Sequence, residues 1–193
     1  MCATVFLFGV AEELAAGYET IADPANGYLV PIGEHQVLAD LPAGDAADWG
    51  RQLQLACDLT SAGGTALSVF SAGDTWGLAL AVDGREGPVA VREPDNEDVM
   101  EVLPHRLMAL EQALVRQFPQ MVDADEVDAL LGALLDGAAR FDDTAAELLA
   151  MLDCSADWLR WSWPEAIPRQ LLLDPDLLRH VRPLGDARSF WEE

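Results

Sequence analysis

The sequence predicts an α+β fold: an antiparallel sheet in the N-terminal half packed against a helical C-terminal half. Two observations carry that expectation. Before residue 93, apolar runs and alternating stretches are punctuated by short Gly- and Asp-containing turns, the pattern of strands and hairpins. After residue 104, leucines recur at helical spacing behind acidic capping signatures. Strands followed by helices, rather than strands alternating with helices, argue for α+β over a parallel α/β sheet.

Taken in order, residues 3–8 (Ala-Thr-Val-Phe-Leu-Phe) read as a buried strand, and residues 11–18 as a short helical stretch. Residues 27–32 and 35–41 read as two strands joined by a hairpin turn at Gly33-Glu34. Asp45 is a candidate cap for a helix reaching Leu59, with Trp49, Leu53 and Ala56 on one face. A turn cluster at residues 60–64 leads into the clearest sheet signal. Residues 65–71 form a strand, Ala72-Gly73-Asp74 turn the chain, and residues 75–82 place Trp76, Leu78, Leu80 and Val82 on one face. Asp83-Gly84 is a hairpin dipeptide, because both residues tolerate positive φ. Pro88 to Arg92 then returns as a third strand of the meander.

Asp95 opens a segment interrupted at Pro104. Residues 105–118 carry Leu107, Leu110, Leu114 and Phe118 at helical spacing, and Pro119 ends that helix. Asp123-Ala124-Asp125-Glu126 and Thr144-Ala145-Ala146-Glu147 both resemble capping boxes. The first opens a helix with Val127, Leu130, Leu131, Leu134 and Leu135 inward, and the second precedes Leu148, Leu149 and Leu152. Asp174-Pro175 is placed to cap a last short helix through Val181. The organisation expected is a single α+β domain over residues 1–193. A candidate sub-boundary near 93–96 would separate a sheet-rich 1–92 from a helical 97–193, but the short linker favours helices packed on a sheet face.

Charge narrows the function. The chain carries 34 acidic and 11 basic residues, a formal net charge of -23, and every basic residue is arginine. Such a surface aids solubility, repels nucleic-acid phosphates and attracts basic partners. A solvated acidic surface and one shaped to meet a basic protein are both consistent with it. Hydrophobic residues make up 51% of the chain, enough for a core and too many for disorder. Cys2, Cys57 and Cys154 are odd in number and widely spaced, which reads as a reducing compartment with buried thiols. The apolar start lacks a basic region and meets Glu12-Glu13 early, so no signal peptide is expected. No apolar run approaches the ~20 residues that span a bilayer. A cytoplasmic location without membrane contact is the expectation.

A search for chemistry returns little. There is no Walker loop, no G-x-S-x-G elbow and no H-E-x-x-H. His35, His105 and His180 are far apart in sequence with no cysteine pair nearby, so neither a metal site nor a cofactor is expected. Cys57 paired with His105 would make a nucleophile and base, but its apolar neighbours read as those of an inert buried thiol. The acidic cluster Asp95, Glu97, Asp98 and Glu101 places Asp98 and Glu101 at i, i+3 on a helix. It lacks the turn glycine of a calcium loop; carboxylates at a helix start suit the macrodipole and also present a face to a basic partner. The same applies to Asp123, Asp125, Glu126 and Asp128.

Trp158, Trp161 and Trp163 are the most unusual local feature. At helical pitch Trp158 and Trp161 share a face; in an extended segment Trp161 and Trp163 do. Beside Arg160, such aromatics read first as the anchors of a core, next as the hot spot of an interface, and last as the wall of a ligand pocket. A base-stacking platform is disfavoured, because basic surroundings are missing.

Residues 68–80 (Ser-Val-Phe-Ser-Ala-Gly-Asp-Thr-Trp-Gly-Leu-Ala-Leu), followed by Asp83-Gly84, resemble the meander of small bacterial immunity-type proteins. That resemblance covers one hairpin region. It implies an acidic, cytoplasmic, non-catalytic α+β protein that neutralises a toxin by occluding it, and it carries no binding residues across.

The function expected is a non-enzymatic acidic protein-binding module of immunity or inhibitor type that docks a basic protein partner. Its candidate partner-binding residues are Trp158, Trp161, Trp163, Asp95, Glu97, Asp98 and Glu101. Two alternatives stay open: a nucleic-acid-mimicking inhibitor of a DNA-binding protein, and an enzyme whose site assembles from distant residues. Oligomeric state is left open.

Overall fold

Turn chemistry organises the central meander. In the computed structural model, Asp83 and Gly84 have φ of 49° and 74°, the two positive values that a tight I′-type hairpin needs. They join strands whose ends pair Val82 with Arg85. The tip is tied down on both sides: Gly84 N–H donates to Thr60 Oγ1 at 3.2 Å, and Gly64 N–H donates to Asp83 Oδ1 at 3.2 Å. Gly73, at φ 64°, opens the preceding turn, where Ala72 pairs with Thr75.

The structure describes residues 2–9, 27–32, 35–40, 49–93, 104–156 and 182–184. The strands are β1 (Cys2–Phe8), β2 (Gly27–Ile32), β3 (His35–Asp40), β4 (Thr65–Ala72), β5 (Thr75–Val82), β6 (Arg85–Arg92) and β7 (Arg182–Leu184). The helices are α1 (Trp49–Leu59), α2 (Pro104–Gln117), α3 (Ala124–Leu135) and α4 (Phe141–Met151). All strands join one sheet in the order β6-β5-β4-β1-β3-β2-β7, and every pairing is antiparallel. The fold is therefore α+β, with an N-terminal sheet packed against C-terminal helices. One element crosses that division, because β7 returns from the C-terminal half to pair with β2.

Alternation along the strands makes both sheet faces apolar, and both are covered. Phe6, Phe8, Leu67, Val69, Leu78 and Leu80 point to one face and merge with the leucines of α2, α3 and α4 in a single core. Val5, Leu7, Ala66, Ala79 and Ala81 point to the other face, where Leu53, Ala56 and Leu59 of α1 meet them. The helix predicted to end at Leu59 thus lies opposite the helical half. Three alanines on that face leave room for it to sit close to the sheet.

β6 begins at Arg85, earlier than the expected Pro88. A register shift between Ala79 and Ala81 marks a bulge where Gly87 and Pro88 pass. Proline has no N–H for a ladder, and β6 is an edge strand, where that loss costs little. Exposed Arg85 and Glu86, the proline and the bulge all discourage another strand from adding to this edge.

Two capping expectations part company. Asp123 caps α3 as its sequence predicts, accepting from Asp125 N–H at 2.9 Å and Glu126 N–H at 3.2 Å. Replacing Asp123 with Ala is expected to cost about 1 kcal/mol of stability, read as a lower urea midpoint. Thr144, by contrast, caps nothing: α4 starts at Phe141, and Thr144 is buried inside it. Burial of Phe141 against the Trp76 ring draws the helix start back by just over a turn, and Asp142 and Asp143 then supply the acidic first turn. Residues 11–18, the segment opening at Asp95 and the helix expected from Asp174 lie outside the described residues.

Candidate protein-binding surface

The acidic cluster Asp95, Glu97, Asp98 and Glu101 and the tryptophans Trp158, Trp161 and Trp163 lie outside the described residues. The second acidic cluster is described. Asp123 is engaged as a cap, whereas Asp125, Glu126 and Asp128 project from the exposed side of α3. Asp142, Asp143 and Glu147 do the same from α4. These helices follow one another through a turn in which Gly137 takes φ 70°.

Between α3 and α4 runs a groove of about 820 Å³. Ala129, Leu130, Ala133 and Met151 give it apolar walls, and the exposed carboxylates of Glu126, Asp143 and Glu147 also line it. The local cause is plain in each helix. Apolar side chains at Val127, Leu130, Leu131 and Leu134 pull one side of α3 into the core, leaving Ala129 and Ala133, one turn apart, beside the acidic side. Leu148 and Leu149 orient α4 likewise. Thr144 reaches the groove from α4; it is fully buried, and its hydroxyl finds no hydrogen-bond partner among the described residues. Arg140 meets Asp142 at 3.9 Å, but both side chains are mostly in solvent, so water screens the pair.

Two further hollows flank the edge strand. Trp76, Arg92, Leu134, Leu135 and Phe141 surround one of about 450 Å³. Trp49, Glu86, Val89, His105 and Arg106 line another of about 370 Å³, where α1 and α2 approach β6 from opposite faces. Trp49 also stacks on Phe70, with centroids 6.4 Å apart and 9° between planes.

Both described thiols are buried and held above the usual thiol range. Burial pushes the Cys57 thiol up, helped by the negative charges of Glu86 and Asp58. Cys57 sits between α1 and the sheet, whereas the core side of α2, which carries His105 in its first turn, packs on the opposite face. Cys154 is pushed up to about 12, first by burial and then by Asp153, and its S–H donates to the Leu152 carbonyl at 3.5 Å.

A sign follows for alkaline pH. Below the usual thiol value of 9.0, Cys154 is protonated both folded and unfolded and adds no pH dependence. Above it the unfolded chain releases a proton that the folded chain keeps, so stability falls until the pH passes about 12. The urea midpoint is expected to drop between pH 9 and pH 11, and to drop less steeply in Cys154→Ala. Among the described residues no group of three or more His, Cys, Asp or Glu side chains is placed to hold a metal ion, and no helix is long and apolar enough to cross a membrane.

Sequence reasoning named Asp125, Glu126 and Asp128 but not the groove. The signal for it was present: two alanines four residues apart beside acidic residues on α3, and a second acidic helix close behind. What periodicity could not supply was the pairing of α3 with α4 that turns two stripes into one trough. No protein-family model, curated protein or solved structure matches the chain.

Proposed function

We propose that this chain is a non-enzymatic acidic protein-binding module, of immunity or inhibitor type, that docks a basic protein partner. The observation that carries the reading is the α3–α4 groove: an apolar trough lined by the carboxylates of Glu126, Asp143 and Glu147, on a chain of net charge -23. An apolar floor supplies affinity by excluding water, and a ring of like charge selects a partner of opposite sign. The long-range field of the whole chain speeds encounter with that partner and makes association sensitive to salt.

The test is an affinity pull-down with the tagged chain from nuclease-treated host lysate, at low and high salt, read by mass spectrometry. The expected result is a basic protein retained at low salt and lost at high salt. The Glu126→Arg/Glu147→Arg variant should retain much less of it while melting normally. Capture that ignores salt and the double variant would sink the reading. Should the captured protein bind DNA and be displaced by duplex DNA, the module acts as a nucleic-acid mimic.

A further inference from the structure

The hollow around Trp76 and Arg92 adjoins the groove at Ala139, and two of its side chains are held in place. Trp76 on β5 and Arg92 on β6 are register partners. Opposite residues in an antiparallel pair leave the sheet on the same face, with Cβ atoms roughly 4.5–5.5 Å apart. Two contacts then hold them. Trp76 lies against Phe141 with ring centroids 4.8 Å apart and 18° between planes, yet it remains partly exposed. The Arg92 guanidinium donates through Nη1 to the Asp74 carbonyl oxygen at 3.1 Å. A guanidinium has five N–H donors, and this bond uses one of them.

Charge makes this arginine unusual. Arg92 is one of 11 arginines on a chain with 34 acidic residues. The hollow thus holds one of the chain's few cationic side chains. Leu135 stands beside it with 41% of its surface exposed, apolar area that a ligand would cover.

The geometry points to a binding site for a small aromatic monocarboxylate. The volume of about 450 Å³ falls in the range of small-molecule sites, which pair apolar walls with a few fixed polar groups. A flat apolar body fits against Trp76, Leu134 and Leu135. A planar carboxylate matches the fork of a guanidinium and takes two parallel hydrogen bonds from it. One positive group matches one negative charge. A doubly charged phosphate ester would meet the repulsion of the acidic chain with the same single compensating arginine.

The probes are 2-naphthoate and its neutral analogue 2-naphthamide, titrated into the whole chain by calorimetry and followed by saturation-transfer NMR. Saturable binding of 2-naphthoate at one site per chain is expected. The amide, and the carboxylate against Arg92→Gln, should each bind at least about tenfold more weakly, the scale of a charge-assisted pair. Leu135→Glu, at an exposed position the fold tolerates, should also abolish binding by placing a like charge at the mouth. No saturable binding by the wild-type chain, or equal affinity for acid and amide, overturns the proposal. So does equal affinity in a folded Arg92→Gln chain; if that variant does not fold, Leu135→Glu decides. None of these readouts involves a protein partner, so the site stands or falls separately from the docking groove.

Discussion

Gly77→Ala will destabilise the fold by about 1–3 kcal/mol, the usual cost of forcing an extra carbon into a packed core. Gly77 is not in a left-handed conformation, so the reason is space. It pairs with Phe70 across β4–β5 and with Val91 across β5–β6. A Cβ there would overlap the edge of the Phe70 ring and meet Val91 Cγ2 at 2.9 Å. Phe70 is 1% exposed, so its ring has no outward escape. The ring covers a residue without a side chain, the arrangement by which an aromatic compensates a strand glycine. A double-mutant cycle isolates the cause. In a Phe70→Leu background the ring is gone and Val91 is left as the crowding side chain, so the cost of Gly77→Ala should shrink by at least about 1 kcal/mol. An unchanged cost would mean the strain comes from the β5 backbone. Urea denaturation of the four proteins decides it.

Leu148→Ala is expected to cost about 2–5 kcal/mol, the range for deleting a buried leucine side chain. Leu148 is wholly buried on α4, in the cluster that joins Phe6, Leu67 and Leu80 of the sheet to Leu110, Leu114 and Leu131 of the helices. Because that cluster crosses from strands to helices, the loss should lower sheet and helix stability together. Tryptophan fluorescence and far-UV circular dichroism should report one coincident transition at a lower urea midpoint. Two separated transitions, with only the helical signal moved, would instead make residues 93–96 a boundary between units that unfold independently.

The strength of local signals explains what the sequence determined. Asp83-Gly84 forms its hairpin because those two residues accept positive φ, a property of the residues themselves. Asp123 caps α3 because a carboxylate three residues before a Glu meets unpaired N–H groups wherever the rest of the chain goes. The α+β class follows from the same local patterns, since strand and helix periodicities occupy different stretches. The net charge of -23 needs no fold at all.

Tertiary structure decided everything that depends on which surfaces meet. α4 starts at Phe141 and not at the capping signature of Thr144, because stacking on Trp76 outweighs a local preference worth about 1 kcal/mol. α1 lies across the sheet from the other helices, because both faces of β1, β4 and β5 are apolar and both require cover. The α3–α4 groove, and the pairing of Trp76 with Arg92, bring together residues from separate elements through helix packing and strand register. Periodicity along one element shows which face is apolar. It carries no information about what that face will touch.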